Sequence, residues 1–428
     1  MSMKRVVLLL PTASYRNDDF LAAAKQLEAE VISVANYCHQ LAPAWGMSPI
    51  QSVPFDQPVA ALRQVLTALG RKPDAVLAVD DSGLDLAALL CEYFHLSGNL
   101  PEAVRQTRDK LAFRNLQRRG GLCCPDFRHL DSDTQGEKLP PPLGFPVVVK
   151  ARRLNASRGV IRADTPRDYA HAVQRVRAIQ AKADRDAADL GLIVENFIPG
   201  SEHALEGLLQ DGRLRVLALI DKPDPLDGPY FEETLYVTPS RLPQPIQDQI
   251  AQSVQRACEL AGLSTGPVHA EMRVNAQGVW LLEIAARSIG GLCGRMLRPA
   301  LGMSLEELIL RHALNRPVPE ARPGTANGVM MIPIAAHGIF RGVRRLDDAL
   351  EVAGISGIHI TASPGQLIAP PPEGASYLGF IFAQGTSPGA VESSLRKAQQ
   401  QLVFEIQPDI PVSEARLTPD AYRPRHQA

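Results

Sequence analysis

The sequence predicts a multidomain protein of mixed α/β and α+β class. A doubly wound parallel sheet opens the chain, a hairpin-rich sheet fills the middle, and a smaller α+β unit closes it. Three observations predict this. Apolar strand-like and helix-like segments alternate through the first hundred residues, the signature of a parallel sheet covered on both faces. Between 191 and 287 strands instead follow one another across tight turns. Beyond Pro317 strands return ("GVMMIPI", "YLGFIFAQG"), followed by a helix from Pro388.

The elements follow in order. Arg5–Leu10 is an apolar strand ending at Pro11, Asp19–Ala29 a helix, and Glu30–Val34 a second strand. Pro58–Leu69 is helical, and Ala75–Val79 is a buried strand ending in Asp80-Asp81-Ser82-Gly83. Pro101–Arg119 reads as one basic helix closed by Gly120-Gly121. Its arginines 105, 108, 114, 118 and 119 are expected on a solvated face. The polar, Pro-rich stretch 131–142 is an exposed loop. "VVVKARRLNASRGV" (147–160) is a strand that ends in Lys150, with a loop of small and basic residues directly behind it. Thr165 caps the next helix, Pro166 takes its first position, and Tyr169, Val173, Val176 and Ile179 form its apolar face. Residues 191–200 are strand then turn. Residues 203–222 form a hairpin around Asp211-Gly212, a strong two-residue turn signal. A Pro-rich loop (223–231) follows, then a second hairpin (269–287). Ser304 and Glu307 open a helix with a capping box.

Composition narrows the function. The chain has 428 residues, enough for two to four packed units, and 45% of them are hydrophobic. Lysine plus arginine total 45 against 46 acidic residues. No global field exists to hold nucleic acid or an anionic membrane. The first apolar run, Val6–Leu10, is too short to span a bilayer or to form a signal-peptide core. The six cysteines (38, 91, 123, 124, 258, 293) form no CxxC pair and are expected as reduced thiols in a cytoplasmic protein.

The second hairpin supports a geometric argument. A three-residue loop Ala276-Gln277-Gly278 puts Asn275 opposite Val279, and the same register puts Glu271 opposite Glu283. Cross-strand Cβ atoms lie about 5 Å apart, so two carboxylates there repel. A divalent cation held by oxygen ligands removes the conflict. The other reading has one of them facing solvent on an edge strand, and a slip of one residue separates the pair. Arg287 lies four residues beyond Glu283, placed for a phosphate or a developing oxyanion. Lys150 is not a Walker A lysine, because no GK[ST] follows it. No GxGxxG follows the first strand, so a dinucleotide fold has no support.

Taken together the motifs run in order: Asp109-Lys110; strand, Lys150 and loop Ser157-Arg158-Gly159-Val160; "VENFIPGSE" (194–202); Asp221-Lys222; Glu271; Glu283-x-x-x-Arg287-x-x-Gly290-Gly291. In this the chain resembles the ATP-grasp superfamily, and within it the L-amino-acid ligases, over nearly its whole length. The resemblance implies four units: an N-terminal domain (1–108), the two ATP-grasp subdomains (109–190 and 191–316) and a ligase-type C-terminal domain (317–428). It implies ATP as cofactor, with Mg²⁺ (or Mn²⁺), and small carboxylate and amine substrates, amino acids first among them. Lys110 and Lys150 would hold the phosphates from either side, and the backbone amides of Ser157–Val160 would fold over them. Glu195 and Phe197 would face the adenine and Glu202 the ribose, with Asn196, Ile198 and Lys222 completing the nucleotide set. Glu271 and Glu283 would bridge the metal. Arg287 would face the acyl phosphate and the tetrahedral intermediate. Glu233, Tyr236, Gly290 and Gly291 would line the substrate side. Two departures stand out. Ala285 replaces the Asn of the commonest metal strand, and Tyr236 stands where the ligases often have His.

The implied activity is an ATP-dependent carboxylate–amine ligase working through an acyl phosphate. A biotin-carboxylase-like carboxylating enzyme and a non-catalytic ATP-binding module are the alternatives. Other features carry plainer readings. Asp80–Gly83 is either a ligand-facing strand end or a turn with a helix cap. His203 and His269 read as structural. The 223–231 loop is the candidate substrate lid. A homodimer is also envisaged.

Overall fold

The computed structural model describes residues 3–408 apart from 13, 37–50, 133–137, 139, 141, 184–187, 321–323 and 375. Cys38 and most of the 131–142 stretch therefore lie outside the described residues.

The N-terminal sheet is parallel, in the order Gln51–Ser52, Glu30–Ala35, Arg5–Leu10, Ala75–Ala78. Alternation in the Arg5–Leu10 strand sorts its side chains to two layers. Val6, Leu8 and Leu10 pack with Phe20 and Ala23 of the Asn17–Gln26 helix and with Leu305 and Ile309. Val7 and Leu9 pack with Ala61 and Val65 of Pro58–Leu69 and with Leu86 and Leu90 of Leu84–Phe94. This is the doubly wound arrangement expected.

A four-stranded antiparallel sheet follows, in the order Phe127–Leu130, Leu192–Asn196, Val147–Ala151, Val160–Ala163. The Pro166–Ala183 helix lays Tyr169, Val173 and Val176 on Val147, Val149 and Val194. Thr165 Oγ1 accepts the Asp168 amide at 3.2 Å, as its N-cap reading requires.

The large sheet has eight strands: Gly278–Ala285, Gly266–Asn275, Ser201–Gln210, Arg213–Lys222, Leu235–Thr238, Ala326–Ile332, Gly379–Gly385 and Ile355–Ile360. It runs straight across residues 316/317. The C-terminal residues therefore extend the central sheet and add a three-stranded sheet of their own (Leu367–Ile368, Gly338–Arg344, Val403–Gln407). The Asp211-Gly212 turn has both residues left-handed, φ 51° and 76°, the type I′ geometry that such a pair favours.

Two expectations need correction. The helix expected over 101–119 is two helices, Pro101–Arg108 and Lys110–Gly120. Asp109 between them is extended, and its carboxylate accepts the amides of Leu111 (3.0 Å) and Ala112 (3.4 Å). A residue that caps one helix cannot also continue its predecessor. The second hairpin turns on two residues rather than three, with Asn275 opposite Gly278. A bulge then leaves Leu282 as the extra residue, and Glu271 comes to face Glu283 after all. The pairing expected from the longer loop is reached by a tighter turn plus a bulge. Among the described residues no helix is long and apolar enough to cross a membrane.

Candidate active site

The three units converge on a cleft of about 1260 Å³. The parallel sheet offers its carboxyl-edge loops, the small antiparallel sheet offers Lys150 and the loop behind it, and the large sheet offers its carboxylates. Every residue assigned from the sequence lines this cleft except Gly159 and Lys222, which lie behind its wall.

Lys150 is buried on its strand and donates to Glu195 on the neighbouring strand. Glu195 also takes two bonds from Arg114, Nε at 2.8 Å and Nη2 at 3.1 Å. Burial works against the Glu195 charge, but Arg114 and Lys150 outweigh it and hold the carboxyl down at about 2. Burial lowers Lys150 itself. Glu195 thus lines the cleft with both oxygens engaged, as an anchor for Lys150 and not as a free adenine acceptor. Arg114, expected on a solvated face, is 1% exposed. It lies four residues beyond Lys110, one helical turn along the same face, which is the signal that could have revealed it.

The loop 152–159 is held at both ends. Arg152 pairs with Asp109 and donates to the Leu190 carbonyl at 2.7 Å. Lys110 Nζ donates to Leu154 O at 2.6 Å and stands 3.6 Å from Glu283. Ala156, Ser157 and Gly159 are all left-handed. The amides of Arg158, Gly159 and Val160 donate to Asn155 O, Pro372 O and Ser157 O, so three of the amides expected on phosphate are bonded within the protein. By contrast Arg158 Nε is buried and has no partner, and burial alone lowers that guanidinium.

On the hinge strand Asn196 lines the cleft with a buried Oδ1 that has no donor. The Phe197 ring is flanked by the guanidinium groups of Arg162 (4.2 Å) and Arg273 (4.8 Å). Glu202 accepts from Lys222 (3.0 Å) and Arg273 (3.1 Å).

The carboxylates form two groups. Glu202, Glu233 and Glu271 bring oxygens within 4.8 Å of one another. Lys222 Nζ contacts all three, 3.0 Å from Glu202 and 3.1 Å from Glu271. Burial opposes its charge, and Glu233, Glu271 and Glu202 together raise Lys222 well above its ordinary value. That trio already holds an ammonium. Glu271 is shared between the groups: its Oε1 meets Lys222 and His269, and across the bulge it faces Glu283, the two carboxylates that would fit a hard divalent cation. Ala285, where a third ligand would stand, faces His269. His269 joins Glu206 to Glu271 (Nε2 to Oε1, 3.2 Å). Burial disfavours its charge, yet Glu206 and Glu271 lift it to about 9. His203 bonds Ser201 and Asp221 and is structural, as expected.

Arg287 reaches back to the N-terminal domain. Its Nε lies 2.8 Å from Asp81, which also accepts from Asn155. Burial opposes its charge and Asp81 raises it. Asp80 caps the turn through the Ser82 amide (3.0 Å), as the cap reading requires, and Asp80 and Asp81 both line the cleft. Glu206 was not singled out from sequence, and Asp81 only as part of its strand end, because their partners His269 and Arg287 lie far along the chain. Tyr236 is buried, with its ring 5.3 Å from Lys222 Nζ. Gly290 lies open to the cleft, whereas Gly291 (φ 59°) sits against the Phe380 ring.

Known proteins resemble this chain in sequence and in fold. Residues 143–296 match the ATP-grasp domain family, and residues 330–407 match L-amino acid ligase C-terminal domain 2. The chain is 32% identical over 320 residues to carnosine synthase 1 of Gallus gallus, covering 68% of this chain and 34% of that protein. It is 24% identical to the alanine–anticapsin ligase of Bacillus subtilis, covering 65% and 61%. It thus spans about a third of the length of the carnosine synthases it matches. The crystal structure of an L-amino acid ligase from Bacillus licheniformis superposes with a TM-score of 0.79 at 24% identity, covering 95% of this chain and all of that one. Residues 143–296 form an ATP-grasp domain, and the chain has the fold of the ATP-grasp ligases. Within that superfamily it resembles the L-amino-acid ligases, whose C-terminal domain it carries.

Proposed function

We propose that the chain is an ATP-dependent carboxylate–amine ligase that joins small acids and amines, amino acids first among them. One observation carries this reading. Lys150, Arg287 and the facing Glu271–Glu283 pair line a single cleft, beside two buried and unpartnered polar atoms, Asn196 Oδ1 and Arg158 Nε. An acceptor without a donor suits the adenine amino group, and a donor without an acceptor suits a phosphate oxygen.

A carboxylate oxygen of the first substrate attacks the γ-phosphorus of ATP. The bond from that phosphorus to the bridging oxygen breaks, and ADP leaves. The amine nitrogen then attacks the acyl carbon, its C–O bond to the phosphate breaks, and phosphate and a proton are released. Phosphoryl transfer needs positioning and charge neutralisation more than covalent help. Lys110 and Lys150 hold the phosphates, and the Arg158 guanidinium covers them. Arg287, braced by Asp81, meets the charge that develops at the acyl carbon. Glu233 and Tyr236 bound the substrate end, with Gly290 leaving room for backbone approach and Gly291 beside it against Phe380. Mg²⁺ held by Glu271 and Glu283, or Mn²⁺ in its place, would supply further neutralisation of the phosphates.

The test is ADP and phosphate release across pairs of amino acids and small acids, with the product identified by mass. Lys150→Ala and Glu283→Ala are expected to lose roughly a hundred- to thousandfold in rate. Wild-type turnover in either variant contradicts the assignment. ADP release with bicarbonate and no amine points to a carboxylating enzyme instead.

A further inference from the structure

Arg114 joins the two halves of the site. Its Nε and Nη2 hold Glu195, and Glu195 holds Lys150. Its Nη1 donates to the carbonyls of Leu281 (3.3 Å) and Leu282 (3.0 Å) and to Gln117 Oε1 (2.7 Å). Gln117 Nε2 donates to Leu281 O at 2.9 Å. Leu281 and Leu282 are the residues at the bulge that brings Glu283 opposite Glu271. One guanidinium therefore spans the strand pair carrying Lys150 and Glu195 and the strand carrying Glu283.

The chemistry favours arginine at this junction. Only a planar fork of five donors serves a carboxylate along one edge and backbone carbonyls along another. The Gly278–Ala285 strand is the edge of its sheet, so its outward carbonyls need donors from outside it. A bulge also leaves the ladder locally unpaired.

We propose that Arg114 is a positioning residue that sets Lys150 and the Glu271–Glu283 pair in one frame, so that binding of the phosphates and of the divalent cation is coupled through it. This rests on the nucleotide reading above. Arg114 touches neither ligand; it acts through Glu195 and the bulge.

The experiment uses the full chain and Arg114→Lys, which keeps the charge but has a single ammonium for two distant sets of acceptors. Calorimetry measures the Kd for adenosine, for ATP without metal and for ATP with Mg²⁺, and thermal unfolding is recorded alongside. Adenosine affinity is expected to stay within about twofold of wild type, whereas ATP with Mg²⁺ weakens by about tenfold or more, and the gain from Mg²⁺ falls toward none. A folded Arg114→Lys chain with a lower melting temperature but the wild-type gain from Mg²⁺ has lost only structure, and overturns the proposal. Should that variant not fold, Gln117→Leu removes the Gln117 bonds to Leu281 O and to Arg114 Nη1, loosening the bulge end of Arg114, and leaves the Arg114–Glu195 pair. The Mg²⁺ concentration needed for half-maximal ATP binding is then expected to rise several-fold, with metal-free ATP affinity unchanged; an unmoved Mg²⁺ requirement overturns the proposal. A wild-type chain that binds no ATP sinks the nucleotide reading and this proposal together, and that result is distinct from either variant outcome.

Discussion

Arg158 shows how much one side chain can carry. The amides of residues 158–160 are bonded within the protein, so under the proposed function the loop would grip phosphate through the Arg158 guanidinium, whose buried Nε has no partner. Arg158→Ala is expected to weaken ATP binding roughly 10–100-fold, since a hydrogen bond between charged groups contributes about 1.5–3 kcal/mol. Adenosine binding stays at the wild-type level, and Arg158→Lys restores part of the loss. Fluorescence titration with both ligands decides it. Equal ATP affinity in Arg158→Ala returns the grip to the backbone.

At the scale of elements, the break at Asp109 matters most. It ends one helix and starts the next, and this directs Lys110 into the cleft. The Asp109 carboxylate caps the second helix and holds Arg152 at the base of the 152–159 loop. Asp109→Ala removes both roles. Loss of the cap alone costs about 1–2 kcal/mol. Part-buried Arg152 loses its counter-ion as well, so the loss is expected at the upper end of that range or beyond. Denaturant unfolding measures it. A midpoint shift equivalent to less than a few tenths of a kcal/mol shows that the cap contributes nothing. The hairpin teaches a related lesson. Its turn is one residue shorter than expected, yet the facing carboxylates survive because Leu282 is absorbed in a bulge.

Across the whole molecule, the C-terminal residues close over the small subdomain. Arg175 makes a two-point bridge to Glu373 (2.7 and 2.9 Å) and also bonds Tyr230 of the 223–231 loop. Beside it Gly159 N reaches Pro372 O at 3.3 Å. One segment of the C-terminal unit thus touches the 152–159 loop, and Tyr377 a few residues on lines the cleft. The bridge is exposed and is worth less than about 1 kcal/mol to folding. Arg175→Ala should leave the melting temperature nearly unchanged and speed nucleotide release several-fold, as a stopped-flow displacement would record. An unaltered release rate shows that the bridge does not restrain the loop.

Local physics made much of this legible in the chain itself. Alternating apolar strands and helices specified the parallel domain, because burial on two faces demands that pattern. Asp211-Gly212 specified a hairpin, because positive φ at both positions suits few other pairs. The ordered lysines, glutamates and arginine marked the cleft through their resemblance to the ATP-grasp motif order, and only the facing Glu271–Glu283 pair followed from spacing itself. Tertiary structure alone decided the partners. That Arg114 is buried against Glu195, that Lys222 sits among three carboxylates, that Asp81 braces Arg287 and that the large sheet runs past residue 317 all depend on groups far apart in the chain. The energy of a buried charge is set by what stands within a few ångströms of it, and sequence spacing does not encode that distance.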